Sequence, residues 1–240
     1  MTKPSNDNSI SIELLRTENH PCSYLPGRQA RSLIAFPARI VDSNIYNAMI
    51  QDGFRRSGHF VYRPDCENCQ ACKPVRLRVQ ELAIDRSQRR ALKHHANLEA
   101  QEIPLLFIDE HYALYKRYQQ SRHAGGGMDE DDEEQYARFL MQSQVDTRLI
   151  EFRENDQLRL VSIIDVLADG LSSVYTFFEP DIQNASFGTY NILWQAATCR
   201  QIGLPYLYLG YWIAQSQKMA YKARFQPLEI LKDGHWQLFD

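Results

Sequence analysis

The order of secondary-structure signals between Thr147 and Leu231 restricts the fold more than any other feature of the chain. Thr147 to Arg153, Arg159 to Val166 and Leu171 to Phe178 read as three consecutive strands, rich in β-branched and aromatic residues. Asn155-Asp156 and Asp169-Gly170 separate them, and turn dipeptides this short join strands that run antiparallel. After Pro180-Asp181, Gly188 to Ile202 reads as a helix that Gly203-Leu204-Pro205 terminates. Tyr206 to Tyr211 is then an aromatic strand, Ser216 to Lys222 a short helix and Leu228 to Leu231 a last strand. Antiparallel strands followed by helix, strand, helix and strand define an α+β domain.

The same order of elements resembles that of acyltransferases of the GNAT superfamily. Upstream, residues 1 to about 25 form a polar lead-in with one short strand, Ile10 to Leu14. Glycines and prolines from Pro26 to Pro74 then punctuate a compact stretch. Within it Ile45 to Asp52 has helical spacing ended by Gly53, while His59 to Tyr62 and Val75 to Val79 read as strands. With a basic helix over Asp85 to Glu99, this predicts a small cysteine-containing α/β module over residues 1–100. Residues 101–240 then form the GNAT-like catalytic domain. It opens with a helix over Asp109 to Arg122, in which Tyr112, Leu114, Tyr115 and Tyr118 recur at three- and four-residue spacing and which Gly125 to Gly127 ends. A second helix, Asp132 to Gln142, has its carboxylates at the favourable end of the helix dipole.

The N-terminus carries no apolar core behind a basic start, and no run of eighteen apolar residues occurs, so neither export nor a membrane span is expected. A globular cytoplasmic protein is the class that fits. In a reducing compartment the five cysteines are more often metal, cluster or catalytic residues than disulfides. Cys66, Cys69 and Cys72 follow one another at two-residue spacing and Cys22 lies upstream, so four thiolates are available for zinc or an iron–sulfur cluster, with reduced structural thiols as the alternative. Cys199, inside an apolar helix, reads as a small core residue. The net charge of −3 hides an uneven distribution. Arg55 to Lys93 holds ten Lys and Arg against four Asp and Glu, a local excess of +6 suited to phosphate contact, whereas Asp129 to Glu134 is continuously acidic.

Several blocks resemble a known family. Asp52-Gly53-Phe54-Arg55-Arg56-Ser57-Gly58-His59-Phe60-Val61-Tyr62-Arg63-Pro64, followed by Cys72 and Pro74-Val75-Arg76-Leu77-Arg78, is similar to the N-terminal region of arginyl-tRNA–protein transferases. Ser172-Ser173-Val174-Tyr175, Glu179-Pro180-Asp181, Ser186-Phe187-Gly188-Thr189, Tyr208 to Ile213 and Lys218 to Lys222 resemble that family's C-terminal domain. The resemblance runs from about residue 20 to 232. It implies an enzyme that moves an amino acid from aminoacyl-tRNA to the N-terminus of an acceptor protein. Arg122-His123-Ala124-Gly125-Gly126-Gly127-Met128-Asp129 and the 240-residue length resemble the bacterial branch, which transfers leucine to proteins beginning with Asp or Glu; arginine is the alternative donor. The family's cluster ligands are a Cys-x-x-Cys and an adjacent Cys-Cys pair. Here the partners of Cys22 and Cys72 are Leu25 and Lys73, so two of the four are replaced, with Cys66 and Cys69 as possible substitutes.

The implied reaction is aminolysis of an ester, for which positioning, amine deprotonation and oxyanion stabilisation suffice; no cofactor is required by the chemistry. Asn184-Ala185-Ser186-Phe187-Gly188-Thr189 precedes the main helix with a single glycine, where coenzyme A enzymes carry several, so the loop suits a tRNA 3′ end better than acetyl-CoA. A small-molecule acetyltransferase and a non-catalytic adaptor for acidic N-termini are the competing readings. For the acceptor carboxylate the candidates are Arg55, Arg56, Arg76 and Arg78, with Arg76 or Arg56 preferred. For its amine, Asp165 amid Ile163, Ile164 and Val166 is a base or an anchor, unless it is structural. Tyr175, Tyr211 and Trp212 line an aminoacyl pocket, stack on the terminal adenine or belong to the core. Lys218, Lys222 and Arg224, extended by Arg89, Arg90 and Lys93, are candidate tRNA phosphate contacts.

Overall fold

A computed structural model describes residues 11–122 and 131–239. In chain order, β1 (Glu13–Arg16), a minimal hairpin of β2 (His20–Pro21) and β3 (Gln29–Ala30), and β4 (Ser32–Phe36) precede α1 (Ser43–Gln51). Next come β5 (Arg55–Ser57), β6 (Phe60–Pro64), β7 (Lys73–Arg78), α2 (Arg86–His94), β8 (Glu99–Ile103) and α3 (Asp109–Arg122). α4 (Glu133–Tyr136) continues as a π turn over Ala137–Met141. The remainder is β9 (Thr147–Glu154), β10 (Gln157–Val166), β11 (Gly170–Phe178), α5 (Phe187–Gln201), β12 (Tyr206–Trp212), α6 (Gln217–Ala220), β13 (Leu228–Lys232) and β14 (His235–Leu238).

Local chemistry sets many of these boundaries. Asp42 caps α1 by accepting from Ile45 N, and Asp85 and Asp132 open α2 and α4 with capping boxes closed by Gln88 and Gln135. Asn155 and Asp156 both stand at positive φ, the geometry a two-residue hairpin demands, and they turn β9 into β10. The helix expected over Asp85 to Glu99 ends at His94, and Glu99 instead begins β8. That strand is almost wholly exposed and is held by pairing with β9, so tertiary contact overrides its weak strand propensity. The bacterial-branch motif from Arg122 to Asp129 and the glycines that end its helix lie, past Arg122, outside the described residues.

One eight-stranded sheet, ordered β14-β13-β7-β12-β11-β10-β9-β8, forms the frame, and a four-stranded sheet, β1-β4-β6-β5, sits beside it. β7 and β8 enter the large sheet from before residue 103, β7 between β12 and β13, so this sheet runs across the boundary placed near residue 100. α5 buries Ile192, Leu193, Ala196 and Cys199 against Ile150, Phe152, Leu160 and Leu207 on one face. On the other, Leu114 and Tyr115 of α3 with Tyr136 and Leu140 cover Leu149, Val161, Ile163 and Phe177. The fold is thus mixed α/β, with helices on both faces of the large sheet. Cys199 is fully buried, and burial pushes its thiol up to about 12, as befits a core residue. No helix among the described residues is long and apolar enough to cross a membrane.

Candidate active site

β11 and β12 are parallel neighbours for only three residue pairs, Gly170 with Tyr206, Leu171 with Leu207 and Ser172 with Tyr208. Beyond Ser172 and Tyr208 the two strands part, while β12 keeps its pairing with β7 through a bulge between Tyr208 and Gly210. Where they part, the Ser173 and Tyr211 carbonyls accept hydrogen bonds from side chains.

Arg55, from β5 of the small sheet, fills the apex of this fork. Its Nη2 donates to the Ser173 carbonyl at 2.7 Å, and its Nε is buried with no hydrogen-bond partner. Among the described residues no carboxylate pairs with it. Lys222 approaches from the turn after α6 and donates from Nζ to the Tyr211 carbonyl at 2.6 Å. Only 7% of Lys222 is exposed, and burial, reinforced by the Arg55 charge, draws its ammonium down to about 7. The fork therefore holds two basic side chains, and among the described residues no carboxylate pairs with either.

The other candidates are placed differently. Arg56 and Asp165 bond to each other through Nη2 and Oδ1 at 2.7 Å and Nε and Oδ2 at 2.9 Å, with both side chains fully buried, and Thr147 Oγ1 donates to Asp165 at 2.6 Å. This bidentate pair ties the small sheet to the large one; it engages three of the four lone-pair sites of Asp165 in a fully buried position out of reach of a substrate amine, and it leaves Arg56 no fork to offer a substrate. Arg76 is likewise engaged: Nε donates to Glu229 at 2.6 Å, Nη1 to Gln51 and Tyr208, and the guanidinium stacks 3.6 Å over the Tyr206 ring. Arg78 pairs with Glu81 at 2.6 Å. Of the four arginines, Arg55 is the one with no carboxylate partner among the described residues. Trp212 packs edge-on against Phe239 in the core, and the Tyr211 hydroxyl donates to the Gly53 carbonyl. Both are structural aromatics. Tyr175 accepts from Gln119 Nε2 on the β11 wall, and burial raises its phenol.

The four cysteines converge, although Cys22 comes from the β2–β3 hairpin and the others from the loop between β6 and β7. All line one cavity of about 450 Å³, with Tyr24, Tyr62 and Tyr211 on the side toward Arg55. Burial first, then the neighbouring Cys66, Cys22 and Cys69, push the Cys72 thiol up to about 12. The donor set suits zinc or a cluster in kind. Its arrangement does not: among the described residues no group of three or more His, Cys, Asp or Glu is disposed to hold a metal. Tyr24 and Tyr62 carried no signal of their own in the sequence beyond their nearness to Cys22 and to the Phe60-Val61 block.

A second cavity, of about 430 Å³, lies where α2 meets the start of α5 and is lined by Arg90, His94 and the Gln183 to Ser186 loop. His95 donates from Nε2 to the Ala185 carbonyl and stacks on Phe187 at 4.4 Å, which fixes this loop against α2. Lys93 and Lys218 are exposed, and Arg224 is exposed with Nη2 on Ser87 at 2.7 Å. Lys222, expected among these phosphate contacts, is instead a buried amine at the fork.

The profile described as Arginine-tRNA-protein transferase, N terminus, matches residues 20–90, and that described as Arginine-tRNA-protein transferase, C terminus, matches residues 110–232. A protein of Nitrosospira multiformis named aspartate/glutamate leucyltransferase is 56% identical over 240 residues, covering 100% of this chain and 96% of its own length. Proteins of the same name from Thiobacillus denitrificans and Chromobacterium violaceum are 53% and 51% identical over 95% of this chain, and over 95% and 94% of their own lengths. Among solved structures, L-PGS from Bacillus licheniformis aligns with a TM-score of 0.44 at 7% identity, over 60% of this chain and 46% of that one. With two profiles spanning most of its length and relatives above half identity along nearly all of it, this chain belongs to the arginine-tRNA-protein transferase family, and it is an aminoacyltransferase.

Proposed function

We propose that the protein transfers leucine from leucyl-tRNA to the N-terminal Asp or Glu of acceptor proteins in the cytoplasm, and that the added leucine marks them for N-end-rule degradation. The names carried by its relatives support leucine as donor. The observation that carries the acceptor choice is Arg55: a guanidinium at the apex of the β11–β12 fork with a buried, unpartnered Nε and no carboxylate beside it. Such a group favours an incoming carboxylate strongly, because the acid supplies the anion its own surroundings lack.

In this reading the acceptor's first residue enters the fork with its side chain on Arg55, and its amine attacks the aminoacyl carbonyl presented from the tRNA side. The cavity at the start of α5, edged by Arg90 with Lys93 nearby on α2, suits the phosphates that lead to the 3′ end. The ester is already activated, so this aminolysis requires no metal or cofactor. The test supplies total charged tRNA carrying radiolabelled leucine or arginine with peptides beginning in Asp, Glu or Ala. Leucine on the Asp- and Glu-led peptides, and none on the Ala-led one, is the expected result. Arginine transfer replaces the donor; peptide binding without transfer replaces the enzyme by an adaptor.

A further inference from the structure

We propose that Lys222 is the group that takes the proton from the acceptor's α-ammonium in the strand fork. This rests on the transferase reading above and goes beyond it by naming the base. A lysine meant for phosphate contact runs its stem along the surface and keeps its head in water. Lys222 does the reverse. Among the described residues it is the one lysine that is buried, and its Nζ lies on the carbonyl of Tyr211, in the part of β12 past the last pair with β11.

The surroundings favour a neutral amine there. No carboxylate pairs with Lys222 among the described residues, and the charged group near it, Arg55, has the same sign. A neutral Nζ donates one N–H to Tyr211 O and keeps its lone pair for a substrate proton. The titratable groups around Arg55, Tyr211 and Tyr221 include Tyr24, Tyr46 of α1, Tyr62 of β6, Tyr118 of α3 and Cys72; burial raises every one, so none of them is an anion at neutral pH, and Asp165, which faces Tyr46, is paired with Arg56. In Asp and Glu the α-amine and the side-chain carboxylate are separated by only a few bonds. A carboxylate reader and an amine base must then be neighbours, as Arg55 and Lys222 are.

The acceptor amine, with an ordinary value of about 7.7–8.0, arrives largely protonated and cannot attack in that form. Its proton passes to Nζ, and the freed lone pair forms the C–N bond at the aminoacyl carbonyl. The bond from that carbonyl to the 3′ oxygen breaks, and the attacking nitrogen's second proton goes to the departing oxygen. Lys222 then returns its proton to solvent, so one proton is released per ammonium consumed and no group is oxidised or reduced.

Lys222→Arg keeps the cation and its donor but cannot accept a proton, and Lys222→Met removes both. Single-turnover transfer from leucyl-tRNA to an Asp-led peptide should fall by roughly 10²–10⁴-fold in each. Leucyl-tRNA affinity should stay within about twofold, well short of the loss that removing a phosphate contact brings. The wild-type rate should rise through a limb near pH 7 that both variants lack. A Lys222→Arg protein with the wild-type rate, or a loss of rate matched by a loss of tRNA affinity, overturns the inference. Should neither variant fold, lysine-¹³Cε spectra of the wild-type protein decide: one resonance titrating near neutrality is expected, and titration of every lysine above pH 10 overturns it. Failure of the wild-type protein itself to transfer leucine or arginine to Asp- or Glu-led peptides refutes the functional reading instead.

Discussion

The Arg55 guanidinium occupies the space that a side chain at Gly210 would need. Gly210 stands at φ +75° in the β12 bulge, and a Cβ built on it would overlap Arg55 Nη1. Two residues 155 positions apart in the chain thus share one volume at the apex of the fork, and the missing Cβ is what lets the guanidinium reach Ser173.

Gly210→Ala should therefore push the guanidinium out of the fork and strain the bulge. We expect a loss of about 1–3 kcal/mol in stability and a rise in KM for Glu-led peptides of at least about tenfold. Urea unfolding and steady-state transfer measure the two effects. An unchanged KM would show that Arg55 can move without consequence.

Arg55→Lys keeps a positive charge but loses the planar fork. The expected loss of about 1.5–3 kcal/mol of charge-assisted hydrogen bonding corresponds to roughly 10–150-fold in KM for Asp- and Glu-led peptides. Affinity for leucyl-tRNA, followed by filter binding, should not change. Equal losses for peptide and tRNA would place Arg55 on the nucleic acid side.

For Arg56 and Asp165 the consequence is one of stability. Asp165→Ala leaves a buried guanidinium unpaired and should cost about 3–5 kcal/mol, whereas the double change Arg56→Met with Asp165→Leu should recover most of it. Chemical denaturation of the three proteins tests this. A fully stable Asp165→Ala would mean that water reaches Arg56.

The stability of the protein should also depend on pH through Lys222. In the unfolded chain this amine titrates near 10.5, and in the folded protein near 7. Between those values the unfolded chain binds the extra proton, so this contribution makes stability rise with pH across that window. Lys222→Met removes it. The variant should exceed the wild type by the most below pH 7, on the order of a few kcal/mol, with the gap closing toward pH 10. Unfolding midpoints at pH 6.5, 8 and 9.5 give the comparison, and a gap that widens with pH would contradict it.

The Cys72 thiol, pushed up to about 12 from an ordinary 9.0, carries roughly a thousandfold less thiolate at pH 8 than an unperturbed cysteine. Its alkylation by iodoacetamide, read by peptide mass spectrometry, should be correspondingly slow. Fast labelling would mean the cavity holds Cys72 as a thiolate, and a metal site would regain its case.

Elements whose signals are local can be read from the chain alone. β9 to β11 follow from strand-length apolar stretches cut by Asn155-Asp156 and Asp169-Gly170, and α3 from the spacing of Leu114, Tyr115 and Tyr118. The chain also carried the family, through blocks such as Asp52 to Pro64. The surroundings of the charged residues emerge only once the chain is folded. Arg55 and Arg56 are adjacent and chemically identical, yet the alternation of β5 sends one to the fork and the other to Asp165, 109 residues away. β8 and β14 were hidden for the same reason, being short edge strands defined by their partners. Periodicity and turn chemistry act over a few residues; which charge is neutralised, and which is left for a substrate, is settled by contacts between distant segments that no local pattern encodes.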